Sequence, residues 1–580
     1  MNAQPRYEID FQPADLGPGA KNNRAAKSPD VRKKRQTGDG KKMNIGNMLK
    51  AAVATSAIAL LMSSSALAVT LNLHNGGDPR TLDPAKQSGN WEDRVISDAF
   101  EGLMTIDALG EPVLGQAASY EVSEDALTYT FTLRDGITWS DGTPVTAQDF
   151  VTGVERLANP ATAAEYAYLA YFIAGVADYN AGNSTDASTL GARAIDDKTV
   201  EYTLTGPTPY FLGALAHPSL YPVPTHVVEE FGEAWSSVDN IVGNGAYNIV
   251  EWVPGSFLRS EKSDTYYDAA NVQIDEVVYH ILEDNAAALN RYRAGEFDIL
   301  TDFPTDQYQL LQDQYPGEAH VAPILAVYYY NLNTEDPVLA DVDVRRALSM
   351  AINRDVIGTD ILGTGDLPAY GWVPPGTANY EGEQYLPDWA DLPYEEKVAQ
   401  AAEIMAGKGY TPESPLQLQL RYNTNDNHQR IAIAIGAMWE QIGVSIELFN
   451  AETGVHYDAL ESGDFQVGRA GWIMDYNDAS NMLDLLVTGT TQADGTVAWG
   501  NNYSRFSNEE YDSLMAQAAA ELDLDARAAL LHQAEAIAMD NFAAIPIYFY
   551  VSKWVVSPKI GGFVDNAADR HFVRYLTKTE

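Results

Sequence analysis

The chain predicts an α/β protein of more than one lobe, with mixed sheets rather than a single barrel. Three observations carry this prediction. At 580 residues it is too long for one hydrophobic core. Period-2 strand patterns and 3.6-period helix patterns follow one another in irregular order. Two aromatic, β-prone segments, AVYYYNLNT (326–334) and IPIYFYVSKWVV (545–556), each follow a helical region and lead into a different composition. They read as crossings between lobes, although taken alone either is equally a core strand.

The N-terminus stands apart from the fold. Residues 1–42 are polar, carry the basic run Arg32-Lys33-Lys34-Arg35 and show no periodicity, so a disordered upstream extension is expected. From Met43 the pattern changes to Lys50, an apolar run over 51–62, and small residues ending in Ala66 and Ala68. A positive n-region, a short h-region and an A-x-A site predict a signal peptide over 43–68, cut after Ala68. The apolar run is too short to span a bilayer. The basic run precedes a secretory signal directly, which argues against a nucleic-acid tract. The chain has no cysteine, which excludes disulfides, thiolate metal sites, cysteine nucleophiles and a lipid anchor through a thiol. A soluble periplasmic protein is therefore expected.

Charge narrows the partners. The whole chain carries a formal −44; residues 1–68 hold eleven Lys/Arg and five Asp/Glu, leaving 26 basic against 76 acidic side chains, a balance of −50. Such a surface repels nucleic acid and anionic lipid and attracts cationic solutes at low salt. Solvation in a saline habitat explains the same balance without reference to a ligand.

Taken in order, LTYTFTLR (127–134) alternates as a strand, SDGTP (140–144) is a turn, and AQDFVTGVERLA (147–158) has helical spacing with Thr146 as its cap. KTVEYTL (198–204) is a second strand. VRRALSMAINRDVI (344–357) and RIAIAIGAMWEQIG (430–443) are amphipathic helices, the latter running into the strand VSIELF (444–449). Residues 504–522 and 525–541 form a helical pair before the strand at 545–556. The acidic residues Asp523 and Asp525 lack the glycine and terminal acid of a calcium loop and read as a helix start.

The catalytic signatures sought do not occur: no HExxH, no GxSxG, no phosphate loop and no complete GxGxxG; Gly363-Thr364-Gly365 lacks the third glycine. The nine histidines are too dispersed for a local metal pair. No cofactor, metal or enzymatic activity is expected. The most informative stretch is RAGWIMDYND (469–478). Asp475 sits there between Trp472 and Tyr476, behind an apolar run. An acid in such company is costly to desolvate unless a cation meets it. That cation is either a resident Arg or Lys, the usual partner of a buried acid, or one that arrives with a ligand.

At this point the chain resembles the periplasmic oligopeptide-binding proteins of ABC importers, in the peptide branch of solute-binding family 5. GDPRTLDPAK (77–86), FEGLMTID (100–107), YTFTLRDGITWSDGTPVTAQDFV (129–151), NGAY (244–247) and RAGWIMDYND stand in the family's order and spacing, over residues 70–576. GDLPAY (365–370) and YNTNDNH (422–428) narrow the resemblance to the oligopeptide branch. It implies a two-lobed, three-domain Venus-flytrap with two hinge crossings. Domain I would comprise 69–100, 225–326 and 527–580, domain II 101–224, and domain III 327–526. It further implies a monomeric receptor that closes on a short extended peptide and delivers it to an inner-membrane ABC permease and ATPase complex.

By position, the resemblance assigns Asp475 to the peptide's α-ammonium and Ser88-Gly89-Asn90 and Gly471-Trp472-Ile473 to its backbone. Tyr166 would line the cleft, and Arg469 and His428 would face the carboxylate end. Departures are visible. Ser88 and Ser97 stand where the family has a glutamate and its arginine partner, Leu460 replaces a second arginine, and Thr453 replaces a cleft tryptophan. A lysine is missing near Asp360-Ile361-Leu362. The amine anchor is kept and the carboxylate end is thinned. The alternative is the same fold holding another solute, such as a murein peptide, an oligosaccharide or a metal chelate; an acid anchor favours a ligand with a primary amine.

Overall fold

The computed structural model describes residues 68–380, 382, 384–491 and 496–579. The expected upstream extension and the signal segment before Ala68 lie outside them. Among the described residues no helix is long and apolar enough to cross a membrane.

Three larger sheets organise the chain. The first has seven strands, in the order Ala319–His320, Trp554–Val556, Ile299–Leu300, Thr70–Gly76, Glu276–Ile281, Phe257–Lys262 and Tyr247–Val253. Thr70–Gly76 runs parallel to both of its neighbours, whereas the other pairs are antiparallel, so the sheet is mixed. The second is an antiparallel sheet of four strands, in the order Ala117–Val122, Thr128–Leu133, Thr199–Thr203 and Ala192–Asp196. One continuous core joins it to the seven-stranded sheet, from Leu71 and Leu73 through Phe131 and Tyr202 to Val573.

The third sheet has six strands, in the order Leu367–Pro368, Ala544–Val551, Pro323–Leu332, Val467–Ile473, Leu416–Asn423 and Val444–Ala451. Its central strand shows why it is buried on both faces. Tyr328, Tyr330 and Leu332 enter one core while Val327 and Tyr329 enter another. That is the two-residue alternation of a strand with apolar matter on each side.

Two crossings lie side by side, the first just ahead of the expected segment 326–334, which is instead largely a strand inside the six-stranded sheet. Ala319–His320 and Trp554–Val556 pair within the seven-stranded sheet, and Pro323–Leu332 and Ala544–Val551 pair within the six-stranded one. Among the described residues only 321–322 and 552–553 pass between them. They are tied together, with Ser552 N–H donating to the Ala322 carbonyl at 2.8 Å and Ala322 N–H donating to the Ser552 hydroxyl at 3.2 Å. The strand expected over 545–556 is thus two strands, broken at the crossing itself.

Local signals explain most elements. Helix Ala147–Ala158 has the expected bounds, and the Asp149 carboxylate accepts from the Thr146 N–H at 2.8 Å and its hydroxyl at 3.2 Å. Asp523 caps helix Leu524–Asp540 by accepting from Ala526 N–H, so that acidic run is a helix start. The helix expected over 344–357 is broken. Val342–Met350 ends, Asn353 caps a new turn at Arg354–Val356, and a wide turn spans Ile357–Leu362. The break lets the buried Arg354 guanidinium reach the carbonyls of Ser349, Ala369 and Pro546.

The expected domain edges at 100/101 and 224/225 flank the four-stranded sheet, and we retain them as a proposal. The edge at 326/327 falls inside strand Pro323–Leu332, past the passage at 321–322. The edge at 526/527 falls inside helix Leu524–Asp540, which packs with the six-stranded sheet.

Candidate functional site

Strand Val467–Ile473 positions the site. It pairs with Pro323–Leu332 along its whole length, from Val467↔Leu332 to Ile473↔Ala326. On its other edge it meets Leu416–Asn423 only at Val467 and Gly468. Among the described residues, Gly471, Trp472 and Ile473 therefore have no strand on that edge. Burial falls off along the same three residues, ending in an exposed Ile473. A backbone edge left open on a half-buried strand can take an added strand.

Beyond the strand lies Asp475. Its carboxylate accepts from the Asn481 side-chain amide at 3.1 Å and the Tyr168 hydroxyl at 3.1 Å, while the Asn481 oxygen accepts from the Asp475 N–H and the Trp472 indole. Among the described residues no Lys or Arg nitrogen lies within salt-bridge distance. The charge that acts on it, Arg570, is already engaged by Asp93 at 2.7 Å. Burial pushes the Asp475 carboxyl up to about 6, against the lowering effect of the Asn481, Tyr168 and Tyr166 hydroxyl and amide contacts and of Arg570. The acid is partnered by neutral groups alone.

A cavity of about 150 Å³ opens on this carboxylate, and it gathers Ser88, Gly89, Asn90, Tyr166, Ile473 and Asp475. Tyr166 forms its wall, stacked on His217 with ring centroids 5.0 Å apart. Segment 88–90 offers fewer backbone donors than expected, because the N–H groups of Ser88 and Gly89 donate to Glu92 at 2.8 and 2.9 Å. A Cβ on Gly89 would lie 2.5 Å from the Trp91 ring, so a side chain there would have to displace the indole.

Arg469 and His428 lie apart from this cavity, inside the lobe, in a cluster of tyrosines. The Arg469 guanidinium sits 4.6 Å over the Tyr328 ring and donates to the Tyr550 hydroxyl at 2.7 Å and the Asn423 side chain at 3.2 Å. Its Nε is buried without a partner, and no carboxylate pairs with it among the described residues. The buried His428 ring lies 5.5 Å from Tyr328 with Nδ1 unsatisfied. Burial, helped by Arg469 and His456, lowers its pKa to about 2, so it is neutral. His456 holds the Arg469 carbonyl at 2.8 Å. A buried guanidinium with unsatisfied donors and no acid is the complement of the unpaired Asp475.

The sequence did not reveal Tyr168, Asn481, Tyr550, His456 or Arg570. Tyr168 lies 307 residues from its partner, so no local pattern could expose the contact. The YAYLAYF run (166–172) was a signal for an aromatic wall, without saying which tyrosine reaches the acid.

Mixed sheets in two lobes, paired crossings between them and a carboxylate facing a cavity where the lobes meet define a two-lobed α/β binding protein. Residues 111–494 match the profile of bacterial extracellular solute-binding proteins, family 5 Middle, and the chain belongs to that family. It is 38% identical over 518 residues to the periplasmic oligopeptide-binding protein OppA of Escherichia coli K12, covering 88% of this chain and 93% of that one. The structure of the E. coli murein tripeptide binding protein MppA superposes with a TM-score of 0.80 at 37% identity, covering 89% and 99% of the two chains. That of Haemophilus influenzae OppA in complex with RPPGFSPFR gives 0.78 at 32%, again over 89% and 99%.

Proposed function

We propose that this chain is a periplasmic receptor that binds short peptides between its lobes and hands them to an inner-membrane ABC permease and ATPase complex. The observation that carries the proposal is the Asp475 carboxylate, hydrogen-bonded by neutral groups alone at a small cavity whose arginines are engaged elsewhere, Arg570 by Asp93 and Arg94 by Asn75. A peptide's α-ammonium supplies the missing charge. Its backbone then adds to the open edge at Gly471-Trp472-Ile473, which is indifferent to side-chain identity. The OppA relatives, one of them solved with a bound nonapeptide, support this reading.

Arg469 and His428 stand at the other end. Arg469 lies six residues before Asp475 along the chain, so the two charges mark opposite ends of the open strand edge. The protein works as a monomer and returns its peptide uncut; mass spectrometry after long incubation should find the ligand intact.

The test is calorimetry with free and N-acetylated peptides. Asp475→Ala should cost roughly 2–5 kcal/mol of affinity, the scale for truncating one member of a buried charge pair. Acetylation should do similar harm to the wild type and little further harm to the variant. Equal binding of acetylated and free peptides by the wild type would remove Asp475 as the anchor. Murein peptides belong in the same panel, given the likeness to a murein tripeptide binder.

A further inference from the structure

A second cavity, of about 520 Å³, adjoins the one at Asp475. Tyr168 and Asn481 line it and also donate to Asp475, so the two spaces share a wall. The other walls are aromatic: Phe172 and Tyr210 from one lobe, Trp472, Tyr476 and Trp499 from the other. Tyr210 and Tyr476 stack across the lobes with centroids 4.3 Å apart and planes 8° from parallel.

Asp484 is the one charged side chain among the described residues that line this space. It is exposed to the cavity, yet walled in closely enough that burial, with Asp478 adding to it, pushes its carboxyl up to about 7. No hydrogen bond or ion pair engages its carboxylate among the described residues. The nearby Arg527 lowers its pKa, but that guanidinium is spent on Asp478 through two bonds of 2.7 and 2.8 Å. An unpaired acid among aromatic faces, with no resident base, is the chemistry that holds an organic cation.

We propose that this pocket receives the ammonium or guanidinium of a basic side chain on the bound peptide, with Asp484 as its charge partner and the aromatic rings as its walls. The inference rests on the peptide-binding reading. The pocket's own wall residue Trp472 belongs to the open strand edge, and side chains of an added strand project to the sides of the backbone they pair with. A basic side chain near the peptide's amino end therefore reaches a cavity that shares its wall with the ammonium anchor.

The experiment is calorimetry on trialanine and on derivatives bearing Lys, norleucine or Glu at each of the three positions, against the wild type and Asp484→Asn. At one position Lys should bind about tenfold tighter than norleucine in the wild type, the scale of a partly desolvated cation–π and charge contact. Asp484→Asn should erase that advantage and leave trialanine unchanged. Equal binding of Lys and norleucine at all positions overturns the inference, as does an advantage that survives in Asp484→Asn. If trialanine and all its derivatives fail to bind, the peptide reading falls and this inference with it. A further arm titrates n-butylammonium alone. A rise in melting temperature that depends on Asp484, with no Lys advantage in peptides, would make the pocket a site for a free cation and overturn its assignment to the peptide.

Discussion

Asp475 is an acid whose partners are all neutral, and this has consequences that can be measured in both the empty and the loaded protein. Its carboxyl is raised to about 6 from an ordinary value of 3.8. The unfolded chain therefore loses this proton at lower pH than the folded one. Between those two values the empty protein binds more protons folded than unfolded, so this group's contribution to stability falls as pH rises from about 4 through 6. Peptide binding carries the opposite dependence, because an α-ammonium selects the ionised acid. Affinity for a free-amine peptide should drop as pH is lowered through 6, and affinity for its acetylated form should not. His217, in the same cavity, is held near 3 by burial and Arg570, so it stays neutral across that range. Calorimetry between about pH 5 and 8 checks this, with Asp475→Asn as the control that should flatten the profile. A profile that keeps its slope in the variant would assign the dependence to another group.

The element that matters most is strand Val467–Ile473, which carries an arginine buried at one end and an open edge at the other. Gly471 links the two. A Cβ built there would lie 2.8 Å from the Tyr550 hydroxyl and 3.2 Å from an Arg469 terminal nitrogen. Gly471→Ala should push Tyr550 off Arg469 and weaken peptides that reach the arginine about tenfold, the worth of a charged hydrogen bond, with the fold retained. Tyr550→Phe should weaken the same peptides without crowding the edge. Binding that is unchanged in both would make the arginine a fixture of the lobe. This strand also shows what was legible in advance. RAGWIMDYND exposed an acid in apolar company because residue type and neighbours suffice for that. The tyrosines around Arg469 come from residues 328, 457 and 550, brought together by sheet order, which sequence does not print. Likewise, helix Ala147–Ala158 was readable from its period and cap. The break at 351–353 was not, because it answers to Arg354 reaching carbonyls as distant as Pro546.

For the whole molecule, the proposed peptide site draws on both lobes. Tyr168 reaches Asp475, Tyr210 stacks on Tyr476, and Arg430 donates to the Thr305 hydroxyl at 3.1 Å, each contact joining the lobe of the seven- and four-stranded sheets to that of the six-stranded sheet. Among the described residues the only covalent passages are 321–322 and 552–553, bonded to one another, so the lobes can swing about that pair without disturbing either core. A peptide contacts both lobes only when they are together, and it shifts the population by its differential affinity for that state. Small-angle scattering should show a smaller radius of gyration with peptide than without. Tyr210→Ala removes a stack that joins the two lobes, so it should raise the peptide's dissociation rate several-fold and change association little. An identical radius in both states, together with an unchanged dissociation rate, would mean that closure about the paired crossings plays no part in holding the ligand.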